Sequence, residues 1–467
     1  MSSQTERPAQ IEPHTIRQIP LDQRHGRARD LFTIWFGTNL HLLTIVTGAL
    51  ATTVYKLPVL PAILAMVLGN LAGGIFMALH AAQGPRLGVP QMVQTRGQFG
   101  SVGAVLVVAI VVIMYVGFLA SNIFLAGDSL HQIVPALSQH QMIVLVAIVT
   151  LVTTIYGHDL IHAYARLAAW TSGIALLLAV GWMLFVHGLP AGFLQMGRMG
   201  LAPFCSVVSV AALWQISYAP YVSDYSRYMP HDTGARPAFW ASYWGSALGS
   251  ILPMSVGAML GPLAVGSDIA GALRVYTGAV SIPVIFTLSI SICGNNAVNL
   301  YCGVLSTITI VQTFIPRWHP GAMARSLTAS ILIGIALAVG LFAAANFLAA
   351  YTDFILLLLY VLVPWTAVNL VDYYLVRHGE YNVGDFFSPE GGVYGRFNRS
   401  AILCYLLGIA IQLPFVDTPM YTGPMARLVG GIDISWIVGL IVVSPIYYAM
   451  VRSQAPSITG ALASQQS

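Results

Sequence analysis

Twelve long apolar stretches interrupt this chain, and they fix the solvent it folds in. They centre on residues 31–55, 58–82, 101–127, 140–157, 161–188, 201–222, 238–264, 280–312, 326–348, 351–376, 400–416 and 431–451. A helix needs about 20 apolar residues to cross the hydrocarbon core of a bilayer. The eleventh stretch is the shortest and is interrupted by Pro414. Of 467 residues, 57% are hydrophobic and 8% are charged. A soluble domain carries roughly 25% charged residues. So few charges cannot coat a surface that faces water, so most of this one faces lipid.

The basic residues test the count. With the N-terminus inside and twelve crossings, sixteen of the twenty Lys and Arg residues fall in inside segments. Only Lys56, Arg198, Arg274 and Arg427 fall outside. That is the asymmetry expected of a correctly threaded membrane protein. It predicts a multi-pass protein of the cell membrane with both termini cytoplasmic. The organisation read from it is a cytoplasmic tail over 1–29, expected to be mobile, and a core over 30–376. A cytoplasmic loop over 377–399, two further helices over 400–452 and a tail over 453–467 complete it.

Other classes are excluded on composition. The basic residues are scattered singly, without interleaved aromatics, so no nucleic-acid partner is expected. Cys205, Cys293, Cys302 and Cys404 lie in apolar stretches without a CxxC pair. They read as packing residues, not as a metal site. The polar first thirty residues are no cleaved signal peptide. No mid-membrane catalytic motif is present. His158-Asp159 with His162 reads as a solvated turn, not a metal site. A channel would need rings of carbonyls or charges along a pore. No metal, cofactor or enzymatic activity is expected.

A repeat is visible in the small residues. Gly69-x-x-x-Gly73 lies in the second stretch and Gly245-x-x-x-Gly249 in the seventh, 176 residues apart. Small residues four apart let helix backbones approach closely, and the motif alone is common in membrane helices. The same offset lays stretch one on stretch six and stretch three on stretch eight. This predicts two five-helix units, about 30–190 and 200–376, with two helices appended. An odd number of crossings per unit makes the copies inverted, as in alternating-access transporters. Broken helices are expected at Trp35–His41 and at Trp214–Pro220, where glycine, asparagine and proline interrupt apolar sequence. Freed backbone groups at that depth belong beside a polar cavity.

No Asp, Glu, Lys or Arg sits at mid-span. That argues against a charged solute, because a buried charge needs a partner there. The mid-span polar groups are amides, hydroxyls and one imidazole, including Asn39, His41, Asn122, Gln215, Ser217, Asn295, Asn296 and Asn299. Such groups both donate and accept hydrogen bonds, as the edge of a flat heterocycle requires. Phe118 and Asn122 stand four apart, on one helix face.

The ordered pieces Asp30-Leu31-Phe32 through Trp35-Phe36-Gly37, Gly88-Val89-Pro90-Gln91-Met92 through Arg96-Gly97-Gln98-Phe99-Gly100, Ser223–Tyr228, Asn295-Asn296 with Asn299-Leu300-Tyr301, and Asp372-Tyr373-Tyr374 carry a resemblance. Over about residues 20–452 the chain resembles nucleobase–cation symporter family 1, the purine–cytosine permease group. The resemblance implies a five-plus-five, LeuT-like inverted-repeat fold with two C-terminal helices. It implies import of cytosine or purines by cation symport. Allantoin, hydantoin, uracil or a thiamine-related pyrimidine are the alternative solutes. It places His41, Phe118, Asn122, Trp214, Gln215, Ser217, Asn295 and Asn296 at the substrate, with Phe118 and Trp214 (or Gln215) stacking on either face of its ring.

The resemblance also implies where a coupling ion sits. Sodium-coupled members hold Na⁺ on carbonyls, here those of Gly37, Leu40 and Ser291, and on two adjacent hydroxyls. Gly294 and Asn295 occupy the hydroxyl positions, and glycine offers no side-chain oxygen. The Asn295-Asn296 pair is similar to fungal members that resemble proton symporters. Coupling to H⁺ is therefore expected over Na⁺. His41 is then either a proton carrier, since imidazole titrates near working pH, or a neutral hydrogen-bonding group. Asp224 and Arg227 are expected to form an inner gate or a static cap.

Overall fold

The computed structural model describes residues 15–452 apart from 157, 343–346, 419 and 420. Its helices run in order α1 (Ala28–Gly37), α2 (Leu42–Thr53), α3 (Val59–Ala81), α4 (Gln83–Leu87), α5 (Gln91–Phe99), α6 (Ala104–Ile133), α7 (Gln139–Tyr156), α8 (His158–Gly181), α9 (Leu201–Ile216) and α10 (Val222–Ser226). Then follow α11 (Ala235–Leu260), α12 (Ile269–Thr277), α13 (Ser281–Phe314), α14 (Ala322–Phe342), α15 (Phe347–Val371), α16 (Arg399–Gln412), α17 (Pro424–Leu428) and α18 (Ser435–Val451). Among the described residues, eight helical runs are long and apolar enough to cross a membrane, and the bent pair α1–α2 makes a ninth. The helices in the other three stretches, Gln139–Ile155, Arg399–Phe415 and Ser435–Val451, are shorter. His158 opens α8, so the segment read as a turn is the start of a helix, though its side chains at 158, 159 and 162 lie outside the described residues.

Glycines set how closely the helices pack. A Cβ on Gly69 or Gly73 of α3 would collide with α9 at Val208–Ala212. A Cβ on Gly245 or Gly249 of α11 would sit 2.7 Å from the carbonyl oxygens of Phe32 or Phe36 in α1. The two Gly-x-x-x-Gly motifs thus face reciprocal partners: the second stretch packs on the sixth, and the seventh on the first. Gly48 of α2 and Gly257 of α11 make the same close approach between those two helices.

Both expected breaks are present. α1 stops at Gly37 and α2 starts at Leu42 after a 60° bend. The last turn of α1 is closed by its own neighbours. Thr38 donates to Ile34 O at 2.7 Å and Asn39 Nδ2 to Trp35 O at 2.7 Å. His41 is extended and caps α2, its Nδ1 accepting from Leu43 N–H at 3.2 Å. An N-cap acceptor satisfies one of the donors that a helix start leaves open. α9 ends at Ile216, and a 3-10 turn over Ala219–Tyr221 leads into α10. This second break lies one turn beyond the position that the 176-residue offset assigns, because Pro220 sets it.

The N-terminal segment is not a free tail from Thr15 onward. Thr15, Ile16, Ile19 and Arg24 are buried. Ile19 N–H donates to Gly88 O at 2.9 Å, and Arg24 donates to the carbonyls of Ile19 and Pro85. Thr15 Oγ1 donates to Pro320 O at 3.4 Å, and its own carbonyl accepts from Arg227 at 3.2 Å. Arg17 lies over the ring of Phe387, 4.8 Å from its centroid. Residues 15–24 therefore strap four separate segments of the arginine-rich face together. For residues 15–24 the expectation of mobility failed because it rested on polarity alone, and these groups have partners far along the chain; residues 1–14 lie outside the described residues.

Gly249→Leu should destabilise the purified protein by roughly 1–3 kcal/mol or more, because the added atoms have nowhere to go. Gly334→Ala, whose Cβ would meet nothing within 4 Å, should leave the melting temperature unchanged. Thermal unfolding in detergent compares the two.

Candidate substrate site

The break in α1 and the end of α9 meet through one side chain. Asn39 Oδ1 accepts from Trp214 Nε1 at 2.8 Å, Tyr218 OH at 2.7 Å and Ser250 Oγ at 2.9 Å. Three donors from α9, the turn after it and α11 thus converge on one amide oxygen. That bond orients the Trp214 indole. Trp214 then meets Phe118 edge to face, with centroids 6.1 Å apart and planes at 86°, and lies 6.3 Å from the His41 ring. Phe354 of α15 stands edge-on to Phe118 at 5.3 Å.

Asn122 and Asn296 face the same level from α6 and α13. Arg96, just before α6, bonds Thr309 and Gln312 late in α13, and Gln132, late in α6, bonds Arg274 just before α13, so the two helices run antiparallel; a Cβ on Gly303 would lie 3.5 Å from Tyr115. Seven residues on from Tyr115 is Asn122, and seven back from Gly303 is Asn296, two helical turns in each case. Both amides are buried, and neither their oxygens nor their nitrogens have a hydrogen-bond partner. Asn295 Oδ1 and Asn299 Oδ1 are likewise unpartnered. Buried amides are normally satisfied. Two fully open ones beside an aromatic cluster offer donors and acceptors to a ligand.

The other expected residues are placed differently. Gln215 is spent inside the protein: Nε2 donates to Asn70 Oδ1 at 2.7 Å and Ser250 Oγ at 3.1 Å, and Oε1 accepts from Ser246 at 2.6 Å. Of the pair Trp214 and Gln215, the indole is the one that joins the aromatic cluster. Ser217 donates to its own helix at Trp214 O, 2.7 Å away. Phe118 and Trp214 are perpendicular, so the parallel slot expected between them is not formed in this conformation. His41 Nε2 lies 3.3 Å from Thr44 Oγ1. With Nδ1 accepting from the backbone, the ring's proton belongs on Nε2.

On the arginine-rich face, Asp224 accepts from Gln91 N–H at 2.8 Å. Arg227 donates to Thr15 O at 3.2 Å and reaches Tyr301 OH at 3.3 Å. Asp224 ties α10 to the start of α5, and Arg227 ties the end of α10 to the strap and to α13. Of the expected cation ligands, Gly37 O already accepts from Leu40 N–H at 3.2 Å. Asn295 Oδ1 is open; at Ser291, where the carbonyl was the expected ligand, the side-chain Oγ is also open, one turn back on α13. Among the described residues, no group of three His, Cys, Asp or Glu could hold a metal ion.

Sequence reasoning missed Phe354 and its neighbours. Tyr351 OH bonds Thr47 of α2 at 2.8 Å, and Phe347 packs on Phe124 at 4.8 Å. Phe347, Tyr351 and Phe354 follow i, i+4, i+7 spacing, one face of a helix. That aromatic stripe was readable, and it lies over α2 and α6 on the side away from the strap.

The chain matches, over residues 18–439, the model of a family described as permeases for cytosine/purines, uracil, thiamine and allantoin. It is 40% identical over 458 residues to YxlA of Bacillus subtilis, assigned by name to the purine-cytosine permeases, covering 96% of this chain and 98% of that one. It is 23% identical to the purine-cytosine permease fcyB of Emericella nidulans, covering 92% and 86%. Its fold is similar to that of Mhp1, a nucleobase-cation-symport-1 family transporter, closed with bromovinylhydantoin bound (TM-score 0.77, 18% identity, 96% of each chain). The inward-facing form of Mhp1 superposes with a TM-score of 0.72 at 19% identity, covering 94% of each chain. The molecule is a multi-pass membrane permease, not an enzyme. It belongs to nucleobase–cation symporter family 1.

Asn39→Ala would leave three buried donors without an acceptor, at about 1–3 kcal/mol each. It should lower the melting temperature of the ligand-free protein sharply. Asn296→Ala, which removes no protein hydrogen bond, should leave that temperature nearly unchanged.

Proposed function

We propose that this permease imports a nucleobase, cytosine or a purine, by alternating access coupled to a cation. The observation that carries this is the pair of open amides, Asn122 one turn on from Phe118 and Asn296 at the same level of α13, together with the Phe118–Trp214 ring contact. A flat neutral ring stacks on Trp214, meets the edge of Phe118, and satisfies the amides with its own donors and acceptors. Stacking contributes about 1–3 kcal/mol per base. Edge hydrogen bonds set the choice among bases, since a solute that leaves a buried amide unpaired is rejected strongly. Names of relatives favour cytosine and purines. Mhp1 with its hydantoin ligand keeps hydantoins as the alternative.

The architecture proposed for this cycle is twelve spans with both termini inside, built as two inverted five-helix units and two added helices. The reciprocal glycine seams, α3 on α9 and α11 on α1, support it. So do the paired breaks after Gly37 and Ile216. In this reading the strap and the Asp224–Arg227 segment close the inner side, and the Phe347–Tyr351–Phe354 stripe closes the outer side. His41 acts as the neutral cap of α2 beside the substrate. A second proton on Nδ1 would displace Leu43 N–H. The coupling ion is H⁺ in preference to Na⁺, on the glycine at position 294.

The test of the substrate is thermal stabilisation of the purified protein by cytosine, purines, uracil, hydantoins, allantoin and thiamine. One or more of cytosine and the purines should stabilise it. Trp214→Ala should weaken that binding roughly tenfold to a hundredfold, the equivalent of one lost stack. No response to any nucleobase would refute the substrate. His41→Asn, which keeps a capping side chain, should still concentrate substrate under a pH gradient. Loss of concentration with binding intact would make His41 the proton carrier.

A further inference from the structure

The seam between α1, α8 and α13 contains one side chain that the transport reading has not used. Tyr164 of α8 lays its ring against Gly294 of α13. A Cβ on Gly294 would collide with ring carbons of Tyr164 and would lie 3.3 Å from its Cγ. The Tyr164 hydroxyl donates to Ile290 O, one turn back on the same stripe of α13. The next residue, Ala165, faces the end of α1, where a Cβ on Gly37 would lie 3.3 Å from Ala169 N and collide with Ala165 O. Two turns on, a Cβ on Gly173 would lie 4.0 Å from the Leu40 side chain. α8 therefore fills the space between the unwound backbone of α1 and the Ile290–Gly294 stripe of α13. Ser291 and Asn295 stand on the neighbouring stripe, about 100° round the helix.

A cation between unwound carbonyls and a facing helix does two jobs: it fills the seam and it bridges the elements. The Tyr164 ring does the first. Its O–H, donated to a carbonyl of α13, ties α13 to α8, whose Ala165–Ala169 backbone lies on Gly37 of α1, so the elements are bridged without a charge. We propose that Tyr164 is a built-in substitute for sodium, and that glycine stands at 294 because the phenol ring occupies the volume of a side chain there. Tyr164 is then the residue that frees this carrier from sodium. This rests on the transporter reading, but its first test needs no substrate.

Thermal unfolding of the full chain is measured in NaCl and in choline chloride at equal ionic strength, without nucleobase. The wild type should melt at the same temperature in both. Gly294→Ser should lower the melting temperature, because its Cβ meets Tyr164. Tyr164→Ala with Gly294→Ser should relieve that clash, so the two losses should fall short of additive. By placing a hydroxyl beside the Asn295 side-chain oxygen in an opened seam, the pair should also gain a sodium-specific rise of about 2 °C or more. Tyr164→Ala alone, which opens the seam without adding an oxygen, should show a smaller rise. Sodium stabilisation of the wild type overturns the proposal. So does a pair whose melting temperature does not respond to sodium. In proteoliposomes, nucleobase uptake by the wild type should proceed equally with and without a sodium gradient, and a sodium requirement again overturns it. Absence of any nucleobase uptake would instead fail the substrate reading and leave the melting comparison standing.

Discussion

A helix interrupted inside a bilayer must have its freed backbone groups closed by protein, because the lipid supplies no partners. Most of this site follows from how that is done at Thr38–His41. Thr38 and Asn39 turn back on the last carbonyls of α1, and His41 caps α2. Asn39 then has one oxygen left, and three donors share it. The same residue that seals the break also fixes the orientation of Trp214. The aromatic wall of the site is thus a by-product of hydrogen-bond closure at the break.

The second constraint is distance. Helices carrying side chains pack 8–10 Å apart, and the glycine seams allow less. Through Gly245 and Gly249, α1 lies directly on α11, which brings Ser250 within reach of Asn39. Through Gly69 and Gly73, α3 lies on α9, which brings Asn70 to Gln215. Both polar knots exist because backbones, not side chains, touch beside them. Side chains with every hydrogen bond met inside a knot are unavailable to a solute. That is the physical distinction between Gln215, fully engaged, and Asn122 and Asn296, fully open.

Much of this was legible in the sequence because it is set by local composition. Apolar run length placed the long helices, and Gly37 and Pro220 marked the breaks. The Gly-x-x-x-Gly pairs marked the close seams but not what they face, since partner identity is a long-range property. The amide-rich character of the site was readable from Asn122 and Asn296. Which amides stay open was not, because Gln215 is satisfied by Asn70, Ser246 and Ser250, residues that no spacing rule connects to it. The N-terminal segment misled for the same reason. Polar sequence reads as free chain until its distant partners are known. Phe354 and Tyr164 sit near the polar ends of apolar spans, beside Asp353 and between His162 and Arg166, where an aromatic reads as packing until its neighbours are seen.

The strap has a consequence for how the molecule is made. Thr15 bonds a carbonyl 305 positions away, and Arg17 docks on Phe387. During vectorial synthesis those partners emerge only after most of the helices, so a segment that precedes α1 in the chain is among the last to reach its place. Contacts of such sequence separation close slowly. Nascent chains would therefore pass through a stage in which the helices are inserted while the arginine-rich face is still uncovered, and docking of residues 15–24 would mark the end of assembly.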